Sequence, residues 1–182
     1  MINKYSTRKN ADTFLTEQAA AGHRCFFGCN WEPLFSTVFR NDIIESIRKR
    51  LPVEYYNPAF DSGLFFRTME ILQTCNEDND YDLICVDFTG IDKAGHSYGF
   101  DDNEHYRSAL QIVDSYTVDL LDSIKHRKTF DKEDWLIILT TDHGGRLRNH
   151  GEQTPLERIT WTAVNKKIEI TDELINYVKQ DR

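Results

Sequence analysis

Apolar positions along the chain fall into two kinds of pattern, compact runs and stretches of helical period. Residues 11–21 (ADTFLTEQAAA) predict a helix stopped by Gly22, where a left-handed C-cap meets no Cβ clash. HRCFFGCN (23–30) predicts a short buried strand. Over 37–50, Val38, Ile43, Ile44 and Ile47 recur at near-helical spacing, and basic residues in the last turn complement the helix dipole. Pro52 ends that element, VEYY (53–56) predicts a strand, and a further helix over 61–75 turns Leu64, Phe65, Met69 and Leu72 inward.

The second half repeats the alternation. YDLICVDF (81–88) is a run suited to a parallel strand buried on both faces. A glycine-containing loop, TGIDKAGHSYGFDD, follows it, and a long amphipathic helix over 102–126 carries Ala109, Ile112, Val113, Tyr116, Leu120 and Ile124. WLIILTT (135–141) predicts a second buried strand that runs into DHGGRLRNHGEQTP; ITWTAV and KIEI predict short strands, and a helix begins near 172. Alternating strands and helices predict an α/β fold, a mostly parallel sheet flanked by helices, in one domain over residues 1–182. Ligands of such sheets bind beyond the carboxyl ends of the strands, where both polar, glycine-rich segments fall.

Composition narrows the function. Hydrophobic residues make up 40% of the 182, enough for a sizeable core, and the formal net charge is −8. An acidic chain lacks the basic face that a nucleic-acid polymer needs. A phosphorylated small molecule stays admissible, because bound cations reverse the field inside a site. No run approaches the roughly 20 apolar residues of a membrane span, and the N-terminus has no apolar signal-peptide core. Of the four cysteines, Cys25 and Cys29 lie in the first strand and read as buried free thiols, with a disulfide or metal role as the alternative; Cys75 and Cys85 do not decide the compartment.

The chemistry sits in two segments. The first holds Asp92 and His96, the second Asp142, His143 and His150. Carboxylate and neutral imidazole are ligands that zinc-like divalent ions accept. Each segment leaves a predicted buried strand, and Gly95, Gly144, Gly145 and Gly151 are expected to permit the backbone angles that let ligands converge. His23, His105 and His126 have no partner at ligand spacing and read as ordinary hydrogen-bonded residues; Asp101 and Asp102 read as caps of the long helix.

DKAGHSYG resembles the D-x-x-G-H-x-x-G segment of the type I phosphodiesterase/nucleotide pyrophosphatase family of the alkaline phosphatase superfamily. TTDHGGRLRNHGEQTPLERITW resembles the same family's S/T-D-H-G segment with its following H-G, in family order, separated by a long helix. The resemblance extends over roughly 11–170 and is specific around 83–100 and 137–161.

It implies metal-dependent hydrolysis of phosphoric esters at a two-metal site. Asp92, His96 and His150 would hold one ion, and Asp142 with His143 would help hold the other. Two divalent ions, Zn2+ by their ligand types, would lie about 4 Å apart and clamp the attacking and leaving oxygens. The implied partner is a phosphorylated small-molecule substrate, which Arg146 and Tyr98 lie close enough in sequence to contact. The family's nucleophilic Thr or Ser and a further metal-binding Asp are expected upstream of Met1, so the domain reads as an alkaline-phosphatase-like core lacking its N-terminal part; Ser6 and Thr7 are the nearest hydroxyls. Full-length relatives often act outside the cytoplasm. A non-catalytic metal- or phosphate-binding remnant, a phosphomutase and a phosphoethanolamine transferase are the alternative readings.

Overall fold

The structure, a computed structural model, describes residues 13–74 and 80–168. Its centre is β1 (Cys25–Cys29), every residue of which is buried. The parallel strands β2 (Val53–Tyr56) and β3 (Leu83–Asp87) flank it in the order β2-β1-β3. The register places Cys25 opposite Val53 and Leu83, so the three strands end at a common carboxyl edge.

Side chains alternate across a strand, and β1 therefore builds two cores. Cys25, Phe27 and Cys29 pack with Leu15 and Ala19 of α1 (Phe14–Ala20) and with Phe39 at the start of α2 (Arg40–Lys49). Phe26 points the other way, to Leu64 and Ile71 of α3 (Asp61–Thr74) and to Tyr81. Full burial of each large apolar side chain here contributes roughly 1.5–3 kcal/mol. A Cβ at Gly28 would lie 2.2 Å from Leu64 Cδ1, so this glycine is what lets α3 approach the sheet.

α4 (Gly90–Tyr98) and α5 (Glu104–Lys125) complete the layer. Segment 90–98, expected as loop, is thus a helix; its polar, glycine-bearing sequence masks a short amphipathic turn pair. Asn103, rather than Asp101 or Asp102, caps α5, its side-chain oxygen accepting from Tyr106 N at 2.9 Å. Asp101 instead accepts from the Asn103 amide at 3.0 Å.

Three further expectations are corrected. On α2 the inward residues are Phe39, Asp42 and Ser46, while Val38, Ile44 and Ile47 are exposed. A π-helical turn over Leu34–Val38 offsets the helix, and Asp42 is drawn in to accept from Thr13 N and Thr16 Oγ1 at 3.0 and 3.1 Å. β3 is half-buried rather than buried on both faces. The run 135–141 yields only the largely exposed β4 (Ile138–Thr140), which pairs antiparallel with β5 (Thr162–Val164) instead of joining the parallel sheet. An apolar run reports burial potential and does not name the neighbouring strand. The expected C-terminal helix, Glu169 and Ile170 of KIEI, and Ser6 and Thr7 lie outside the described residues. Among the described residues no helix is long and apolar enough to cross a membrane.

Beyond α5, the Arg127 guanidinium is almost wholly enclosed, its side chain 2% exposed. It donates to Glu133, to Leu72 O at 2.8 Å and to Asp80, and it lies over Trp135. This knot ties the end of α3 to the approach to β4. Hydrogen bonds from Arg127 hold the Glu133 carboxyl down at about 2, with Thr129 and Trp135 acting in the same direction. Arg127→Met leaves two carboxylates without their cation and is expected to destabilise the fold by about 3–5 kcal/mol in urea denaturation at neutral pH. The folded state binds fewer protons at Glu133 than the unfolded chain, so its contribution is complete above 4.5 and is lost as pH falls toward about 2.

Candidate metal centre

α4 begins directly beyond β3 and so stands at the carboxyl edge of the sheet. Residues four apart share one face of a helix, and Asp92 and His96 are such a pair. His96 Nε2 lies 3.5 Å from Asp92 Oδ1. His150 arrives from the loop after β4 and places its Nε2 3.4 Å from the same oxygen and 3.1 Å from His96 Nε2.

The loop is pinned to α4 by Phe100, a residue that carried no signal in the motif. Its backbone N–H donates to Leu147 O at 2.7 Å. Its ring fills the space where a Cβ at Gly95 or at Gly145 would lie, 2.4 and 2.2 Å from ring carbons. The same ring meets His96 edge-on at 5.5 Å and His150 at 6.1 Å between centroids. Gly144 is equally constrained, since a Cβ there would lie 2.1 Å from Leu156 O. Close approach, not backbone angle, therefore explains Gly95, Gly144 and Gly145; of the four site glycines only Gly151 has positive φ, at 110°. The loop's far end is drawn back by buried Glu157 in α6 (Pro155–Arg158), whose carboxylate accepts from Thr154 N and Glu152 N at 2.8 and 3.2 Å.

Backbone carbonyls set the imidazole tautomers. His96 Nδ1–H donates to Arg148 O and His143 Nδ1–H to Gly144 O, each at 2.8 Å. Both rings then carry the lone pair on Nε2, the arrangement that outer partners impose on metal-binding histidines. Burial lowers the His150 pKa, and His143 beside it acts in the same direction, which favours the neutral ring. Asp92 Oδ1 is buried and has no hydrogen-bond donor. A buried carboxylate oxygen without a donor is costly, and here two imidazole nitrogens converge on it. One ligand atom from each of Asp92, His96 and His150 fits within 4.8 Å of the others. Carboxylate plus two imidazoles is the donor set of an open zinc-type site, so the residues fit such an ion.

Asp142 and His143 stand against this group. The His143 ring stacks on His150 at 3.8 Å between centroids, and His143 Nε2 is 3.2 Å from Asp142 Oδ2. Asp87, at the end of β3, was not singled out by sequence. Crowding by protein atoms raises its pKa, with Asp142, Asp61 and Asp92 adding to the rise, although the residue as a whole stays open to solvent. It accepts from the thiol of buried Cys29 at 3.2 Å, and burial pushes that thiol up to about 12. Cys25, Cys29 and Cys85 are free thiols, and Cys75 lies outside the described residues. The remaining candidates take other partners. Tyr98 is half-exposed and stacks on His105 at 4.0 Å, while Arg146 pairs its backbone with Asn149. Hydrogen bonds from Thr154 dominate the lowering of the Glu157 carboxyl, to which Arg146 adds a small push.

The family model for type I phosphodiesterase / nucleotide pyrophosphatase matches residues 7–167, which contain every residue of this group. No curated protein and no solved structure matches the chain.

The Phe100 packing has a direct consequence. Gly145→Ala forces the ring out of its place and is expected to cost about 1–3 kcal/mol in chemical denaturation. Adding Phe100→Leu to that variant, which removes ring volume where the new methyl lands, is expected to recover part of the loss.

Proposed function

The chain belongs to the type I phosphodiesterase / nucleotide pyrophosphatase family, within the alkaline phosphatase superfamily, and on that premise we propose that it acts in metal-dependent hydrolysis of phosphoric esters of small molecules. The observation that carries this is the buried, donor-free Asp92 Oδ1 facing the Nε2 atoms of His96 and His150. In this reading Asp92, His96 and His150 hold one divalent ion of the zinc type, and Asp142 with His143 hold part of a second. When bound, such ions supply Lewis-acid stabilisation to phosphoryl oxygens and a nucleophilic water at neutral pH.

The chain's own residues contribute placement and charge. Arg148 O and Gly144 O keep His96 and His143 in the ligand tautomer. Burial of His150 favours its neutral, ligating ring. The acidic groups Asp87, Asp92 and Asp142 give the crevice a surplus of negative charge that selects cations first, and only the loaded site attracts an anionic ester. Arg146, exposed on the loop, is assigned to the approach of the phosphoryl group and Tyr98 to the organic part of the ester. The attacking Thr or Ser implied by the resemblance falls outside the residues assigned here.

Zinc titration of the purified chain against a chromophoric chelator is expected to find at least one tightly held ion. Asp92→Ala and His150→Ala should each weaken it by more than the roughly 10–100-fold that losing an outer partner costs. A folded chain with no affinity for divalent ions contradicts the assignment. Any hydrolysis of bis(4-nitrophenyl) phosphate should depend on the added ion and disappear in Asp142→Ala; metal retention without turnover would leave a binding module in place of a hydrolase.

A further inference from the structure

Helix α4 carries two of the three grouped ligands, yet its own N-cap residue does not cap it: Thr89 makes no side-chain bond to the first turn. Its hydroxyl donates instead to Asn30 Oδ1 at 2.7 Å, and its N–H points to the same oxygen at 3.2 Å. Capping is supplied from another element. Asp61, the first residue of α3, accepts from Thr89 N with Oδ1 at 3.2 Å and from Gly90 N with Oδ2 at 2.9 Å. A helix start leaves its first N–H groups without intrahelical partners and carries a partial positive charge, so a carboxylate there is doubly favourable. A Cβ at Gly90 would lie 2.3 Å from Asp61 Oδ2, so the glycine is what admits the carboxylate. Asn30 is itself buried, directly beyond the end of β1.

We infer that Asp61 and Asn30 are positioning residues for the metal centre: they clamp the start of α4 to α3 and to β1, and so fix where Asp92 and His96 stand relative to His150. The inference rests on the metal reading above and adds a determinant outside both sequence motifs. Neither residue touches the ion. A rotation of α4 by a few degrees about its start would displace Asp92 and His96, which lie within the first two turns beyond the clamp, from the His150 nitrogen. The loop that brings His150 is held to Gly95 of α4 by Phe100 but is anchored at its far end by Glu157, so it does not follow such a rotation as one rigid unit and the ligand triangle is distorted.

The test uses Co2+ as the probe, since its visible absorption reports coordination geometry directly. Asp61→Ala is expected to weaken Co2+ binding about 10–100-fold and to shift the absorption band, with the far-UV circular dichroism unchanged. Asp61→Asn keeps one acceptor oxygen for the Gly90 or Thr89 N–H and is expected to restore part of both. Gly90→Ala, which displaces the carboxylate without removing it, should resemble Asp61→Ala and supplies the measurement if that variant does not fold. Wild-type affinity and an unshifted band in these variants overturn the positioning role while leaving the metal reading standing. A wild-type chain that takes up no Co2+ overturns both.

Discussion

The ring of Phe100, seated where two glycines lack side chains, is the contact on which the candidate centre depends. Gly95 belongs to the helix bearing Asp92 and His96; Gly145 belongs to the loop bearing His150. The two segments lie more than 40 residues apart and have no shared ladder of backbone hydrogen bonds beyond the contacts at Leu147 and Arg148. A single aromatic plug therefore does what a sheet does elsewhere in the fold: it removes the freedom of one segment relative to the other. The histidine rings edge onto that same plug, so the packing that joins the segments also orients the ligands.

Chemistry follows from what the packing brings together. One oxygen of Asp92, Oδ1, is out of water and gains no donor while the rest of the side chain stays partly exposed, and Asp87 and Asp142 add negative charge nearby. Left uncompensated, such a group works against folding; with a divalent ion it becomes a site whose occupancy stabilises the native state. The outer contacts point the same way. Two carbonyls fix imidazole tautomers, Cys29 donates to Asp87, and Asp61 with Asn30 holds the helix start. A parallel sheet makes this economical, because β1 and β3 end at one edge and deliver Asn30 and Asp87 beside α4 without further structure.

Much of this was legible in the sequence, for physical reasons that can be named. β1, β2, α3 and α5 have strong periods or compact runs, and the structure has them within a few residues of expectation. The family and the α/β class followed from motif order and alternation. Segment 90–98 was missed as a helix because capping by Asp61 is tertiary and invisible locally. The face of α2 was misread because Asp42 and Ser46 are buried for their hydrogen bonds, which hydrophobic periodicity discards. β4 was assigned to the wrong sheet because an apolar run does not name its neighbour. Asp92, His96, Asp142, His143 and His150 do meet in space, whereas Phe100, Asp61 and Asn30 belong to no motif: a positioning residue is recognised by its contacts, and contacts need coordinates.

The central claim is that the chain holds its ion through nitrogen and oxygen from α4 and the His150 loop. Zinc-edge X-ray absorption of the loaded protein reads that shell directly. The account predicts light-atom neighbours at about 2.0–2.1 Å with the outer-shell scattering of imidazole. A sulfur shell at about 2.3 Å, which would place the ion on the cysteines of the sheet, or a spectrum of hydrated zinc alone, would contradict it.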